Sequence, residues 1–234
     1  MSKLYAGTSG FAYATWKPGF YPAALPATRF LDHYATRLNC VEVNYTFRSL
    51  ASEKTQENWI NKTPDDFQFC PKAHMRITHI QKLRNAEAAT TSFLNSLQPL
   101  GRAKKLGPIL FQLPPNLQCD LETLSSFLAM LPKHVRYAFE FRHASWFNSN
   151  VYDVLQKHNS ALCLAESEKL ETPETLTADF VYYRLRKLDY TPEEVSVLKA
   201  KGSGLVADGK DVFVFFKHED EPDGALWAES LLQG

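Results

Sequence analysis

The segment RYAFEFR at residues 136–142 alternates aromatic side chains with small or charged ones and ends on an arginine. An alternation of period two is typical of a β-strand, because successive side chains of a strand point to opposite faces of its sheet. The three aromatic rings therefore share one face, whereas Ala138, Glu140 and Arg142 share the other. We predict a strand that presents an acid and a base on its less apolar face.

Seven other short apolar segments resemble this one, and most of them also finish on a polar or charged side chain. They lie at residues 4–8, 40–44, 67–72, 108–113, 161–166, 180–185 and 212–216. Segments that read as helices lie between them, at residues 26–38, 86–97, 120–131, 151–158, 192–201 and 224–232, with a further helix start at Ser52. This alternation predicts an α/β fold, a single TIM-like (β/α)8 barrel domain over residues 1–234. An open doubly wound sheet is the alternative.

The overall charge limits the partners that we expect. The chain has 26 basic and 26 acidic residues and therefore no net charge that would attract nucleic acid or an anionic membrane. No apolar run approaches the ~20 residues that a membrane-spanning helix needs, and residues 1–8 leave no room for a secretory leader. We therefore expect a cytoplasmic protein without a membrane partner.

Polar residues at the ends of separate strands are the first candidates for a site. In a parallel barrel the carboxyl ends of all strands meet at one rim, so such residues become neighbours. On this basis we predict a shared substrate-binding role for six of them: Thr8, Asn44, Lys72, Gln112, Arg142 and Arg184.

Strand parity also places two carboxylates, Glu42 and Glu140, inside the barrel with the three cations Lys72, Arg142 and Arg184. An unpaired buried charge costs several kcal/mol, so we expect these groups to pair with one another. Such a network has two interpretations: it fixes strand register, or it faces a substrate. We favour the second, since polar residues at the strand ends of these barrels usually face substrate.

Imidazole and metal chemistry are weaker signals. His79 follows the third strand, where an imidazole suits proton transfer. No histidine or cysteine stands at metal-ligand spacing, and lysine and arginine compete for the carboxylates that would bind a cation. We predict no cofactor, with a divalent metal as the less favoured alternative.

The segment after the first strand, residues 9–22, is long, irregular and rich in aromatic residues. Tyr13 and Trp16 within it are candidates for stacking on a substrate. A hydrophobic lid over the barrel explains the same residues, and we prefer that interpretation.

Five separated blocks of the chain resemble the YecE-like family, domain of unknown function 72. They are residues 7–10 with Tyr13, Trp16 and 20–22; 41–44 with 46–47; 72–73 with 77–79; 106–115; and 140–143 with 145–147. The resemblance implies a TIM-like barrel with a pocket shared by Thr8, Glu42, Asn44, Lys72, His79, Gln112, Glu140, Arg142 and Arg184. It implies no established reaction.

The chain departs from the family pattern at three places. Arg48-Ser49 stands where relatives tend to have Tyr-Arg, Arg186-Lys187 where they have His-Gly, and Lys217-His218 where they have Asn-Asn. Whether these departures change the ligand is open at this point. The replacements after the last two strands are more basic and would still suit an anion.

An enzyme acting on a small substrate that bears phosphate or carboxylate is the function that we favour. Lys72, Arg142 and Arg184 would hold the anion through charge-assisted hydrogen bonds, while Asn44 and Gln112 would orient the substrate. Proton transfer is assigned to Glu140, Glu42 and His79. Hydrolysis, elimination and isomerisation remain equally open, as does the oligomeric state.

Two other functions stay open. A basic rim beside an aromatic loop would suit a nucleic-acid-binding or nucleic-acid-processing protein, although the neutral net charge counts against it. A non-catalytic scaffold would use the same polar interior as a purely structural network.

Overall fold

A computed structural model describes residues 2–167, 170–218 and 220–233, and it shows an α/β fold built on parallel strands. The strands are β1 (Leu4–Thr8), β2 (Cys40–Val43), β3 (Gln68–Pro71), β4 (Ile109–Gln112), β5 (Tyr137–Glu140), β6 (Ala161–Ala165), β7 (Phe180–Leu185) and β8 (Asp211–Phe216). Six of them form a curled parallel sheet in the order β1-β8-β7-β6-β5-β4, and β2 pairs in parallel with β3. Each predicted strand is confirmed to within two residues at either end.

The helices are α1 (Phe30–Arg37), α2 (Glu53–Asn61), α3 (Glu87–Ser96), α4 (Gln98–Arg102), α5 (Leu121–Met130), α6 (Ser149–Lys157), α7 (Pro192–Ala207) and α8 (Asp223–Leu232). Ser52 caps α2 as predicted, since its side chain accepts a hydrogen bond from the Thr55 amide. The sequence prediction missed α4, whose five residues include a proline and a glycine. It also ended α7 too early, at residue 201, just before the glycines at 202 and 204 that the helix includes.

Isolated bridges join the two sheets at both edges of the larger one. Ser9 bridges to Glu42 beyond the end of β1, and Lys72 bridges to Leu110 beyond the end of β3. The Gly10 amide donates to the Glu42 carbonyl at 2.9 Å, and the Ala73 amide donates to the Leu110 carbonyl at 2.8 Å. The carboxyl ends of β1, β2, β3 and β4 therefore lie side by side.

The buried apolar residues divide into two clusters, as strand parity requires. The larger one lies between the strands and the helices and contains the aromatic rings of β5. The smaller one is formed by the opposite strand faces and consists of Cys40, Cys70, Leu110, Ala138, Ala161, Cys163, Phe180, Tyr182, Phe213 and Phe215. The predicted inward positions of β2, β3, β4, β5 and β7 are thereby confirmed.

None of the described helices combines the length and the hydropathy that crossing a bilayer requires.

Candidate functional site

A group of buried charges lies at the carboxyl ends of β2, β5 and β7, above the smaller apolar cluster. Arg184 is its centre: one guanidinium nitrogen donates to Glu42 Oε1 at 2.7 Å, and the other donates to Glu140 Oε2. Glu42, Glu140 and Arg184 are each at most 1% exposed. The sequence prediction that distant strands bring opposite charges together is confirmed for these three residues.

The Glu42 carboxylate is fully engaged. Besides Arg184 it accepts hydrogen bonds from Ser9 Oγ at 2.8 Å and from the Tyr182 hydroxyl at 2.9 Å. A carboxylate held by three donors has its orientation fixed. This surrounding favours a structural role for Glu42 over the proton-transfer role that the sequence suggested.

Glu140 is held even more strongly, because three arginines converge on it. Arg142 Nε donates at 2.9 Å and Arg186 Nη2 at 2.7 Å, both to Oε1, while Arg184 takes the other oxygen. Burial alone would raise the pKa of Glu140, but Arg184, Arg186 and Arg142 together lower that pKa to about 2. A carboxylate with so low a pKa does not take up a proton near neutral pH. The geometry therefore assigns Glu140 the role of positioning the three arginines.

Lys72 borders this charged cluster without joining it. The side chain is half-buried, and its Nζ lies 4.3 Å from the centre of the Phe47 ring. Among residues 2–167, 170–218 and 220–233 it has no carboxylate or hydrogen-bond partner. Burial, followed by the charge of Arg184, lowers the pKa of Lys72 to about 8.

His79 lies beside Lys72 in a short π-helical turn, Arg76–Ile80. Its ring contacts Phe47 edge to face at 5.0 Å, and its Nδ1 shares a hydrogen bond of 2.9 Å with Thr78 Oγ1. Burial lowers the pKa of His79, and the charges of Lys72 and Arg142 lower it further. His79 is therefore mostly neutral at physiological pH, which suits an imidazole that accepts a proton.

The two predicted amides lie at the same strand ends. Asn44 Nδ2 is 3.4 Å from the Ser9 carbonyl, and its Oδ1 is buried without a hydrogen-bond partner among the described residues. Gln112 is buried and stands in register with Glu140 on the neighbouring strand. Both positions agree with the predicted location, and their role in orienting a substrate stays a prediction.

Thr8 points away from the cluster. It lies on the helix side of β1, where its hydroxyl contacts the Tyr34 hydroxyl at 2.9 Å and the Gly10 carbonyl at 2.6 Å. The inward position belongs to the next residue, Ser9, whose hydroxyl holds Glu42. The strand parity of β1 explains the difference, because Thr8 shares its face with Ala6 in the larger core.

The aromatic segment forms part of the core. Trp16 is fully buried and packs against Tyr13, Phe20 and Tyr21. Tyr13 is less buried, and its hydroxyl donates to the Ser9 carbonyl at 2.8 Å. These residues therefore pack as core, and Trp16 is removed from the surfaces that a ligand could touch.

Three contributors to the cluster were absent from the predicted site: Ser9, Tyr182 and Arg186. Tyr182 lies on the inward face of β7, two residues before Arg184. Ser9 would have been found by continuing the parity of β1 one residue past its end. Arg186 was noted only as a departure from the family pattern, and the pairing of its guanidinium with Glu140 had no sequence signal.

A cavity of about 170 Å³ opens beside the cluster. Its lining includes Glu140, Arg142, Arg186 and Thr172. A wider groove of about 1210 Å³ adjoins it and also has Arg186 in its wall. Lys72 lines neither space. Arg142 is the link between the two parts of the site, because it lines the cavity and its charge acts on Lys72 and His79.

In the described part of the chain, no group of three His, Cys, Asp or Glu side chains is arranged so that it could hold a metal ion.

Comparison with known proteins identifies the family. The model of the family described as "Protein of unknown function DUF72" matches residues 5–234. The chain belongs to the DUF72 family. A member of that family from Thermotoga maritima has a solved structure with a TM-score of 0.86 and 25% identity, covering 98% of this chain and 97% of that one. The solved structure of a member from Enterococcus faecalis has a TM-score of 0.78 and 19% identity, covering 99% of this chain and 98% of that one. At this identity the likeness shows the fold alone.

Two curated relatives match parts of the chain. The UPF0759 protein YecE of Escherichia coli K12 is 36% identical over 118 residues, 50% of this chain and 43% of YecE. The UPF0759 protein YunF of Bacillus subtilis is 29% identical over 158 residues, 64% of this chain and 54% of YunF. The chain thus spans about half the length of the curated relatives it matches. Neither name states a reaction.

Proposed function

We propose that this DUF72 protein is an enzyme that binds a small substrate bearing phosphate or carboxylate at the carboxyl ends of its strands. The observation that supports this most directly is Lys72, a half-buried ammonium group without a carboxylate partner among the described residues. A buried charge without a partner is costly, and sites that bind ligands are where such costs are retained.

The charge balance of the site supports an anionic ligand. The carboxylates of Glu42 and Glu140 face the guanidinium groups of Arg142, Arg184 and Arg186. Lys72 adds a further cation to this excess of positive charge. An anion of one or two charges would restore the balance, and guanidinium and ammonium groups are the usual ligands of phosphate and carboxylate.

The roles divide between two parts of the site. Arg142, which is partly exposed and lines the cavity, would contact the anion with Lys72. Lys72 and His79 would transfer protons. The pKa of Lys72 is lowered toward neutrality, and the pKa of His79 is lowered from its ordinary value of 6.5. The paired residues around Arg184 would hold Arg142 in place.

We also propose that the two sheets close into one eight-stranded barrel. Glycines at both seams support this, because a Cβ atom at Gly7 would lie 2.1 Å from the Cys40 carbonyl oxygen and one at Gly107 would lie 2.5 Å from Cys70 Sγ. Only glycine permits so close an approach of β1 to β2 and of β3 to β4. Closure would place every strand end around one rim.

A structural role for the charged cluster is the second candidate function. In the mutual pairing of Glu42, Arg184 and Glu140 each charged group has a partner of opposite sign without any ligand. Such a network can fix the register of strands from separate sheets. In that case the protein would be a scaffold with no anion site.

Titration calorimetry of the full chain with inorganic phosphate separates these candidates. We expect binding, and we expect Arg142→Gln to weaken it at least about tenfold, the effect of losing one charge-assisted hydrogen bond. The matched control is Arg84→Gln, which also removes an arginine paired with a carboxylate but at the exposed Arg84–Asp120 pair. A folded protein that binds no phosphate at millimolar concentration would support the scaffold. Strongly salt-dependent binding of single-stranded DNA would support the nucleic-acid alternative.

Catalysis is tested separately, by incubating the protein with a mixture of phosphorylated and carboxylate metabolites and following their depletion by mass spectrometry. We expect the wild type to consume at least one compound that Lys72→Met leaves untouched. If no compound is depleted while phosphate binds, the protein is a binding protein and the enzymatic proposal is wrong.

A further inference from the structure

The backbone of Lys72 is held rigidly at the end of β3. Its amide donates to the Val43 carbonyl at 3.1 Å, and its carbonyl accepts from Thr46 Oγ1 at 2.8 Å. The side chain leaves this fixed point on the face that also carries Cys70, the inward face of β3. The amine at the end of this side chain lies over the Phe47 ring.

The chemical state of this amine is unusual for a lysine. With a pKa of about 8, roughly a tenth of the Lys72 side chains are uncharged at pH 7, whereas an ordinary lysine is uncharged in about four molecules in ten thousand. An uncharged amine is a nucleophile, and desolvation beside other cations is how lysines that attack carbonyl groups are activated.

We propose that Lys72 forms a Schiff base with an aldehyde or ketone that also carries a carboxylate or phosphate, with Arg142 binding the anionic group. This inference rests on the proposed function and names its substrate class. Lys72 is the nucleophile because its amine has no competing acceptor among the described residues, and Arg142 is the cation that is both exposed to the cavity and coupled to Lys72.

The reaction balances without any co-reactant. The lone pair of the neutral Lys72 amine forms a bond to the carbonyl carbon as the carbonyl π bond breaks toward oxygen, and one proton passes from the nitrogen to that oxygen to give a carbinolamine. The bond from carbon to that oxygen then breaks, the second nitrogen proton is delivered to the departing hydroxyl, and water leaves with both protons. The product is an imine between Lys72 and the substrate carbon, with no oxidation or reduction.

His79 is placed to transfer these protons. Its Nδ1 is engaged with Thr78, and its Nε2 has no hydrogen bond within the described ranges. The charge of Lys72 lowers the pKa of His79, so the imidazole gains proton affinity when Lys72 becomes neutral. His79 can thus accept the proton that Lys72 loses and return it to the departing hydroxyl.

Reductive trapping tests the inference on the full-length protein. Pyruvate is the probe, sodium cyanoborohydride reduces any imine to a stable secondary amine, and peptide mapping by mass spectrometry locates it. At pH 8 we expect Lys72 to be labelled roughly a hundredfold faster than a lysine of ordinary pKa, which is the ratio of the uncharged fractions, and the exposed Lys157 serves as the reference position. Lys72→Arg should lose the label, and Lys157→Arg should keep it. The wild-type peptide map decides the question even if Lys72→Arg fails to fold.

Two comparisons separate this inference from the proposed function. Hydroxyacetone, a ketone without charge, should label Lys72 at least about tenfold more slowly than pyruvate, the loss expected when one charge-assisted contact is absent. Label spread over exposed lysines but absent from Lys72, in a protein that still binds phosphate through Arg142, would overturn the inference alone. Equal labelling of Lys72 by both ketones, in a protein that binds no phosphate, would overturn the anion site and leave the nucleophile.

Discussion

Each end of the sheets has a lysine withdrawn from solvent, half-buried at one end and fully buried at the other, and the two lysines have different partners. At the amino end, before β4, Lys105 is 3% exposed and donates to the Ile60 carbonyl at 2.9 Å, the Thr63 carbonyl at 2.7 Å and Thr63 Oγ1 at 3.0 Å. At the carboxyl end, after β3, Lys72 has the Phe47 ring and no oxygen acceptor among the described residues. Burial lowers the pKa of both.

The contrast indicates at which end of the strands an ammonium group is left without a hydrogen-bond acceptor. All three hydrogens of the Lys105 ammonium are used, and they hold the carboxyl end of α2 to the sheet. Lys72 makes no such contact, although many carbonyl oxygens lie near any strand end. In α/β folds the carboxyl ends of strands are where ligands bind, so an unused ammonium there indicates function and a saturated one at the other end indicates stability.

The largest expected effect concerns the paired half of the carboxyl end. Glu140→Gln leaves three arginines around a neutral amide, and breaking a buried pair in this way costs about 3–5 kcal/mol. Urea unfolding at pH 7 measures this loss. Glu53→Gln is the matched control, because it breaks the exposed Arg102–Glu53 pair and should change stability by less than about 1 kcal/mol. Equal small losses in both variants would show that the cluster is not stabilised by its charges.

Acid should weaken the same half of the site. Burial raises and the three arginines lower the pKa of Glu140, which ends at about 2, below its unfolded value of about 4.3. Its contribution to stability is therefore complete above about pH 5 and is lost as the pH falls through 4 toward 2, by about 3 kcal/mol. Unfolding free energies at pH 6, 4 and 2.5 measure the loss. Glu140→Gln should lose correspondingly less, and an equal decline in the two proteins would contradict the account.

Removing the saturated lysine should destabilise the protein. Lys105→Met leaves the carbonyl oxygens of Ile60 and Thr63 without their donor, and we expect a loss of about 2 kcal/mol. Thermal unfolding followed by circular dichroism measures it, and phosphate binding should be unchanged. A neutral effect on stability would show that water replaces the ammonium, and the contrast between the two ends would weaken.

Removing the unpaired lysine should have the smallest effect and the opposite sign. Lys72→Met removes a charge that folding places near Arg184, and we expect a gain of about 1 kcal/mol at pH 7, the size usual for replacing a strained functional residue. A folded-state pKa below the unfolded one makes protonated Lys72 unfavourable, so this gain should shrink as the pH rises from 8 toward 10.4. A loss of stability at pH 7 would mean that Lys72 is paired in solution.

Much of the fold was predictable from the sequence because each strand has its own parity signal. The alternation in residues 136–142 fixed which face of β5 meets the helices, and the same rule placed Glu42 and Arg184 inward. Thr8 was chosen because it ends its strand and not by parity, and parity places it on the helix side, one position before the inward-facing Ser9. Helix α4 was missed because its proline and glycine are residues that propensity assigns to loops.

The division of the site into paired and unpaired halves could not be predicted. Parity told us that two acids and several bases share a face, but it does not say which base reaches which acid. Arg186 lies beyond the end of β7, outside the range in which alternation has meaning, and its contact with Glu140 depends on the path of the following loop. With Glu140 engaged by three arginines, Lys72 has no carboxylate partner among the described residues, and the proton-transfer role moved from Glu140 and Glu42 to Lys72 while His79 kept it.

The most direct test of this account is the pKa of Lys72, measured by NMR titration of lysine Cε signals in 13C-labelled protein. The signal is assigned by its loss in Lys72→Arg. We predict a pKa of about 8, rising when inorganic phosphate is added, because a bound anion favours the charged ammonium. A titration near the ordinary value of about 10.4 that phosphate does not change would contradict the central claim that Lys72 is kept unpaired for an anionic ligand.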